Sequence, residues 1–264
     1  MRPSLSPEAG DFAALLRERG LYPPVPTAIS AAGQAAPGVQ TQATTILAFK
    51  FAGGVLVAGD RRATAGNSIV YDRADKVLEI DSHSLMAIAG VPATAWEMAR
   101  VLEHSFQFYR RSQLQEMSLE GKVRALSKLL RDNLSFVLQG VGVVVPIFAA
   151  YDAEAQLARL YFYDAMGAQF EAADFAATGS GSPAVRSVLY YENTWGSKPL
   201  TKRREAEAVV LALRALDTAA ENDTATGGVD RRGRVYPIIK IISEAGIRTL
   251  AEKDLARVFK QKVT

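Results

Sequence analysis

Cysteine is absent from this chain and histidine occurs only twice. The first absence removes disulfides, thiolate nucleophiles and cysteine-bound metals together. The second leaves little for metal hydrolysis or for a serine–histidine machine. His83 lies in a polar turn, "DSHS", and His104 in a helical stretch, and neither has ligand spacing to another His, Asp or Glu. No metal or cofactor is therefore expected. Long apolar runs are missing too: the longest, "VGVVVPIFAAY" at 141–151, is too short for a bilayer and contains Pro146. Met1 is not followed by a basic stretch and an apolar core, so neither a secretory signal nor a membrane association is expected. There is no G-x-S-x-G elbow, no Walker loop and no G-x-G-x-x-G behind a strand; "GSGS" at 179–182 is the nearest approach. Nor is there a strong excess of one charge. The net charge is +3, and the pairs Arg110-Arg111, Arg203-Arg204 and Arg231-Arg232 are scattered without interleaved aromatics, so no nucleic-acid partner is expected. A cytoplasmic protein fits this composition.

What is present divides at residue 44. Residues 1–43 hold six of the eleven prolines, and Arg2, Arg17 and Arg19 balance Glu8, Asp11 and Glu18. One short helix is expected there, capped by Ser6, with Pro7 at its first position and Gly20 as its stop. The remainder reads as a leader or linker. From Thr44 the signals are dense. "TTILAFKF" and "VLVAGDRR" flank "AGG" as a hairpin, and "KVLEI" and "LMAIAG" flank "DSHS" as a second. Two helices follow, one carrying Ala95, Ala99, Leu102, Phe106 and Tyr109, the other Val123, Leu126, Leu130, Leu134 and Val137 up to Gly140. Strands "VVVPIFAAYD" and "ARLYFYDA" come next. A helix is expected with Ser182 as cap and Pro183 first, another through Ala206, Val209, Leu213 and Leu216, then the strand "RVYPIIKIIS", apolar on both faces, and a helix over 251–260. Strands grouped with strands and helices with helices argue for an α+β fold of two packed sheets covered by helix layers.

One nucleophile needs neither histidine nor cysteine. A threonine at a chain terminus carries its own base, the free α-amine. With a reference pKa of about 7.7–8.0, roughly a tenth of that amine is neutral at pH 7. A leader that is cut away would turn an internal threonine into a terminal one. A glycosidase pair of carboxylates leaves no signature to test, and nothing points at two of them.

The stretch "TTILAFKFAGGVLVAGDRRATAGN" resembles the start of a proteasome β subunit, and the resemblance extends over residues 44–264, closest to the bacterial, actinobacterial-type 20S enzyme. Asp60 follows Thr44 by sixteen residues in "AGDRR", and Lys76 by thirty-two in "RADKV"; "TGSGS" holds Ser180, and "DTATGG" holds Asp223 and Thr226. Each residue also has an ordinary reading: Asp60 and Lys76 as a surface pair, the glycines around Ser180 as a tight turn, Asp223 as an Asx-turn residue. The resemblance implies an N-terminal nucleophile hydrolase with a four-layer αββα sandwich, a propeptide over 1–43 and a catalytic domain over 44–264.

It also implies roles. Thr44 attacks the peptide carbonyl after cleavage of the Ala43–Thr44 bond, Lys76 supplies positive charge, Asp60 holds Lys76, and Ser180, Asp223 and Thr226 orient the α-amine. Gly90 in "AIAGVP" matches the oxyanion donor, its missing Cβ admitting substrate. Thr64 and Gly90 line the edge that pairs with an extended peptide. Ala63, Ala74, Ile88, Pro92 and Trp96 match the primary specificity pocket, with Trp96 equally readable as a helix-core residue. None is charged, which implies cleavage after apolar residues. Pro92 replaces the usual alanine and lacks an N–H, Thr226 replaces the frequent serine, and Ala43 replaces the usual glycine. Thr45 is one residue out of register, so Thr45→Ala is expected still to process and cleave. Implied partners are proteasome α subunits, other β subunits in seven-membered rings, a ring-shaped ATPase activator and unfolded protein substrates. The alternatives are an HslV-like two-ring peptidase, which usually lacks both the long leader and "D-x-x-[ST]-G-G", and a catalytically inactive structural ring subunit.

Overall fold

The computed structural model describes residues 15, 16, 18, 19, 44–65, 68–152, 154–230 and 235–263. Most of the helix expected over residues 6–20 lies outside these; Leu15, Leu16 and Glu18 are helical, and the Arg19 N–H donates to Leu15 O.

Two antiparallel sheets stack face to face. The first has the order β10-β1-β2-β11-β12, from strands β1 (Thr45–Phe51), β2 (Gly54–Gly59), β10 (Phe175–Gly179), β11 (Ile238–Ser243) and β12 (Gly246–Thr249). The second runs β5-β6-β7-β8-β9, from β5 (Val77–Asp81), β6 (Ser84–Ala87), β7 (Ile147–Asp152), β8 (Leu157–Tyr163) and β9 (Gln169–Glu171). A separate ribbon pairs β3 (Ala63–Ala65) with β4 (Ser68–Tyr71). Helices α1 (Pro92–Gln113) and α2 (Leu119–Asp132) cover the second sheet; α4 (Ser182–Thr194) and α5 (Glu205–Asn222) cover the first. A short α3 (Leu134–Leu138), a 3-10 turn at Leu200–Lys202 and a C-terminal α6 (Glu252–Lys262) are the other helical elements described after residue 44.

Alternation in the strands builds this sandwich. Leu47 and Phe49 of β1 point to α4 and α5, whereas Ile46 and Ala48 point between the sheets. β11 does the same with Ile239 and Ile241 on one face and Ile242 on the other, so its two-sided apolarity reflects burial on both sides. The turn after β5 is held by Asp81, whose Oδ1 accepts from the His83 N–H and the Ser84 hydroxyl while its other oxygen meets Lys122.

Three expectations change. The second long helix breaks at Asn133, whose N–H is shared between Leu129 O and Leu130 O and whose side-chain amide donates to Gly142 O. The cap of α4 is Gly181, with Ser182 its first residue. The strands β3, β4, β9, β10 and β12 were not expected. They are three to five residues long, too short for a period to show, and β10 ends at Gly179, where the stretch read as a glycine-rich turn begins.

Candidate active site

Two adjacent threonines fall on opposite faces. Thr45 continues the face of Leu47 and Phe49, toward the helices; one residue back, Thr44 lies on the inter-sheet side. Both are buried, Thr44 at 5% exposure and Thr45 at 0%. β10 runs alongside: Gly179 pairs with Thr45, and the Ser180 N–H donates to Thr44 O at 3.0 Å. Gly179 has φ +97°, and a Cβ there would sit 1.7 Å from Thr44 O, so only glycine lets the strands come this close.

Asp60, directly after β2, is fully buried. Its Oδ1 accepts from Lys76 Nζ at 2.7 Å and from the Thr45 N–H at 2.9 Å. Its Oδ2 accepts from the N–H groups of Arg62 at 3.0 Å and Gly227 at 2.9 Å. A carboxylate this deep survives because each oxygen takes two donors. Lys76, 4% exposed, also donates to Arg62 O at 2.5 Å. Burial pushes its ammonium below the usual lysine range; Asp60 opposes that shift and Arg62 adds to it. Asp60 and Lys76 are thus an internal pair, against their ordinary surface reading.

Ser180, Asp223 and Thr226 form a second cluster. Asp223 Oδ2 accepts from the Ser180 hydroxyl at 2.5 Å and the Thr226 hydroxyl at 2.6 Å, and its Oδ1 accepts from the Ala225 N–H at 3.1 Å. Burial opposes ionisation of Asp223, but these bonds and nearby Arg62 outweigh it and hold the carboxyl below its ordinary range. Arg62 Nη1 donates to the carbonyls of Thr224 and Thr226 at 2.8 and 3.2 Å, tying this turn to the segment behind Asp60. The structure brings both clusters onto Thr45, and the Ser180 backbone onto the carbonyl of Thr44.

Reading the sequence missed Thr45, Arg62 and Gly181. Thr45 Oγ1 lies 2.6 Å from Thr226 Oγ1 and accepts from the Gly181 N–H at 2.9 Å. Partners 181 and 136 residues away leave no local signal. Arg62 stood in the quoted "AGDRR", but an arginine pair behind an aspartate reads as solvated surface.

Around this centre the expected substrate residues are spread. Gly90 has φ +115° and faces Val144; the flanking bonds Val91 N–H to Val143 O and Val145 N–H to Ala89 O carry that pairing, leaving Gly90's own N–H outside the ladder. A Cβ on Gly90 would lie 2.0 Å from Val143 O, so the backbone itself, ahead of any substrate, demands glycine. Ala63 and Thr64 stand on β3, with Thr64 buried, and Ala74 is buried with its N–H on Arg61 O. Ile88 is buried in the core under α1 with Ala95 and Met98. Pro92 is the first residue of α1, where its missing N–H is one the helix would leave unpaired anyway. Trp96 is 45% exposed, so it is not a core residue of its helix. Ala43 lies outside the described residues.

Comparison with known proteins adds a family. A family model described as proteasome subunit matches residues 40–232, a span that contains every residue of both clusters. The chain is 42% identical over 217 residues to "Proteasome subunit beta 2" of Thermomonospora curvata, covering 81% of this chain and 74% of that one. It is 38% identical over 218 residues to "Proteasome subunit beta" of Streptomyces griseus, with 81% and 74% covered. With "Proteasome subunit beta" of Acidimicrobium ferrooxidans it is 38% identical over 249 residues, 94% and 87% of the two chains, so that similarity reaches into the residues before Thr44.

Proposed function

This chain belongs to the proteasome subunit family, as a β subunit and threonine-type endopeptidase, and from that premise we propose that Thr44 is its nucleophile, uncovered by self-cleavage of the Ala43–Thr44 bond. The observation that carries this is Asp60 Oδ1, which accepts from both Lys76 Nζ and the N–H of Thr45. One buried oxygen thereby fixes an ammonium beside the residue that follows the nucleophile. In the mature chain Thr44 Oγ1 attacks the scissile carbonyl, and its proton passes to the α-amine of Thr44 itself. Lys76 favours the deprotonated hydroxyl by charge, and the developing oxyanion is met by the Gly90 N–H. The amine then hands the proton to the leaving nitrogen, the bond breaks, and water hydrolyses the Thr44 ester. Before processing, Thr44 has no free amine, so a water acts as base for the first cut.

The family assembles with other proteasome subunits. For this chain we place it, in the cytoplasm, in seven-membered β rings between rings of α subunits, fed by a ring-shaped ATPase with unfolded protein; the resemblance of residues 44–264 supports this. No described helix is long and apolar enough to cross a membrane.

The test is intact mass combined with hydrolysis of a fluorogenic peptide by assembled particles. The wild-type chain is expected to begin at Thr44 and to cleave. Thr44→Ala keeps residues 1–43 and is inactive, and Thr44→Ser still processes. A Thr44→Ala chain that sheds its leader, or a mature chain beginning at Thr45, would overturn the mechanism. Wild-type particles that assemble and process but cleave nothing identify a structural ring subunit.

A further inference from the structure

Thr45 is buried, and its hydroxyl has no part in the mechanism above. A hydroxyl carries one proton. Thr226 gives its proton to Asp223 Oδ2 at 2.6 Å, so the proton lying between the oxygens of Thr226 and Thr45 comes from Thr45. Thr45 Oγ1 in turn accepts from the Gly181 N–H. The bonds therefore run in one direction, from Gly181 N–H through Thr45 and Thr226 to Asp223, where the Ser180 hydroxyl arrives from the other side. Bonds aligned in this way polarise and strengthen one another. Gly181 is part of the arrangement: a Cβ there would lie 2.6 Å from both Thr45 Oγ1 and Thr226 Oγ1.

The same residue reaches the other cluster through its backbone. Its N–H is on Asp60 Oδ1, the oxygen that also takes Lys76 Nζ. One residue thus holds the Asp60–Lys76 pair by its amide and the Thr226–Asp223–Ser180 group by its side chain, immediately after Thr44. We infer that the Thr45 hydroxyl is a positioning residue, which sets the Ser180–Asp223–Thr226 group against the nucleophile; this rests on the reading of Thr44 as nucleophile. The earlier expectation for Thr45→Ala changes accordingly. That variant strips a proton donor from Thr226 and an acceptor from a buried N–H.

Two substitutions separate positioning from packing. Thr45→Val keeps the shape and loses the hydroxyl; Thr45→Ser keeps the hydroxyl and loses a methyl. Full-length chains are assembled with their partner subunits, leader removal is followed by intact mass, and cleavage of a fluorogenic peptide with leucine before the scissile bond is measured per processed subunit. For Thr45→Val we expect leader removal and kcat both to fall by roughly tenfold or more with KM within about twofold, the pattern of a lost transition-state interaction. Thr45→Ser is expected within about threefold of wild type. If Thr45→Val matches wild type while Thr45→Ser falls, the residue only packs and the inference is overturned. If Thr45→Val does not assemble, Thr45→Ala, smaller and equally without a hydroxyl, serves instead: a kcat tenfold below that of Thr45→Ser supports the directed chain, and a kcat equal to that of Thr45→Ser overturns it. An inactive wild-type particle contradicts the nucleophile reading instead, so the two failures are told apart.

Discussion

At the scale of single residues, charge burial dominates the site. Lys76 and Asp60 are both almost wholly removed from water, and neither would be stable there alone. Breaking one side of a buried pair costs about 3–5 kcal/mol. Asp60 keeps three N–H donors when Lys76 is removed, so we expect Lys76→Ala to lose about 3 kcal/mol, the low end of that range. A domain with a typical stability of about 5–15 kcal/mol survives this. The variant should therefore fold, shown by an intact thermal transition, and yet have no peptidase activity. Lys76→Arg should fail as well. Nζ is held between Asp60 Oδ1 and Arg62 O at 2.7 and 2.5 Å, and a planar guanidinium fork cannot occupy a place made for a compact ammonium. Wild-type turnover in either variant would remove Lys76 from the mechanism.

At the scale of elements, the site depends on where strands stop and turns pass. β10 ends at Gly179, and the chain then crosses over Thr44 and Thr45 before α4 begins. Gly181 in that crossing has an ordinary φ but no room: its missing Cβ is the space that the oxygens of Thr45 and Thr226 fill. Gly181→Ala overpacks a buried polar contact, and we expect a loss of about 1–3 kcal/mol. Calorimetry should read this as a fall of several degrees in Tm, accompanied by slower leader removal. A variant with unchanged Tm and processing would mean the turn has slack that the packing does not show. α1 shows the converse. Pro92 opens a helix that buries Ala95, Met98 and Leu102, so the departure from the usual alanine has a local structural reason.

At the scale of the whole molecule, the proposed specificity pocket would join elements that are remote in sequence. On that proposal β3, the segment around Ala74, and the start of α1 would contribute Ala63, Ala74, Pro92 and Trp96, none of them charged. Peptides with Leu, Phe or Tyr before the cut are expected to exceed those with Arg or Glu in kcat/KM by tenfold or more. Tenfold represents about 1.4 kcal/mol, and burying an unpaired charge costs more than that. A profile led by charged residues would show that these side chains do not line the pocket. Elsewhere β4 exposes Ile69, Val70 and Tyr71, and the end of α4 exposes Tyr190, Tyr191 and Trp195. Contiguous apolar patches of this kind mark association surfaces, as suits a subunit of a larger particle.

The α+β class, the hairpins at "AGG" and "DSHS", the long helices and the two-sided strand at β11 were all determined by sequence, because alternation, helical period and turn residues are local properties. So was the order of Thr44, Asp60, Lys76, Ser180, Asp223 and Thr226, through spacing matched to a family. Tertiary structure alone decided what those residues touch. Whether Asp60 and Lys76 form a solvated pair or a buried one depends on layers contributed by distant segments. That Thr45 meets a hydroxyl 181 positions away follows only once β1, the turn before α4 and the end of α5 meet. Short strands such as β3 and β10 belong to the same category: they have too few residues to display a period, and their hydrogen-bonding partners lie far along the chain, so pairing exists only after folding.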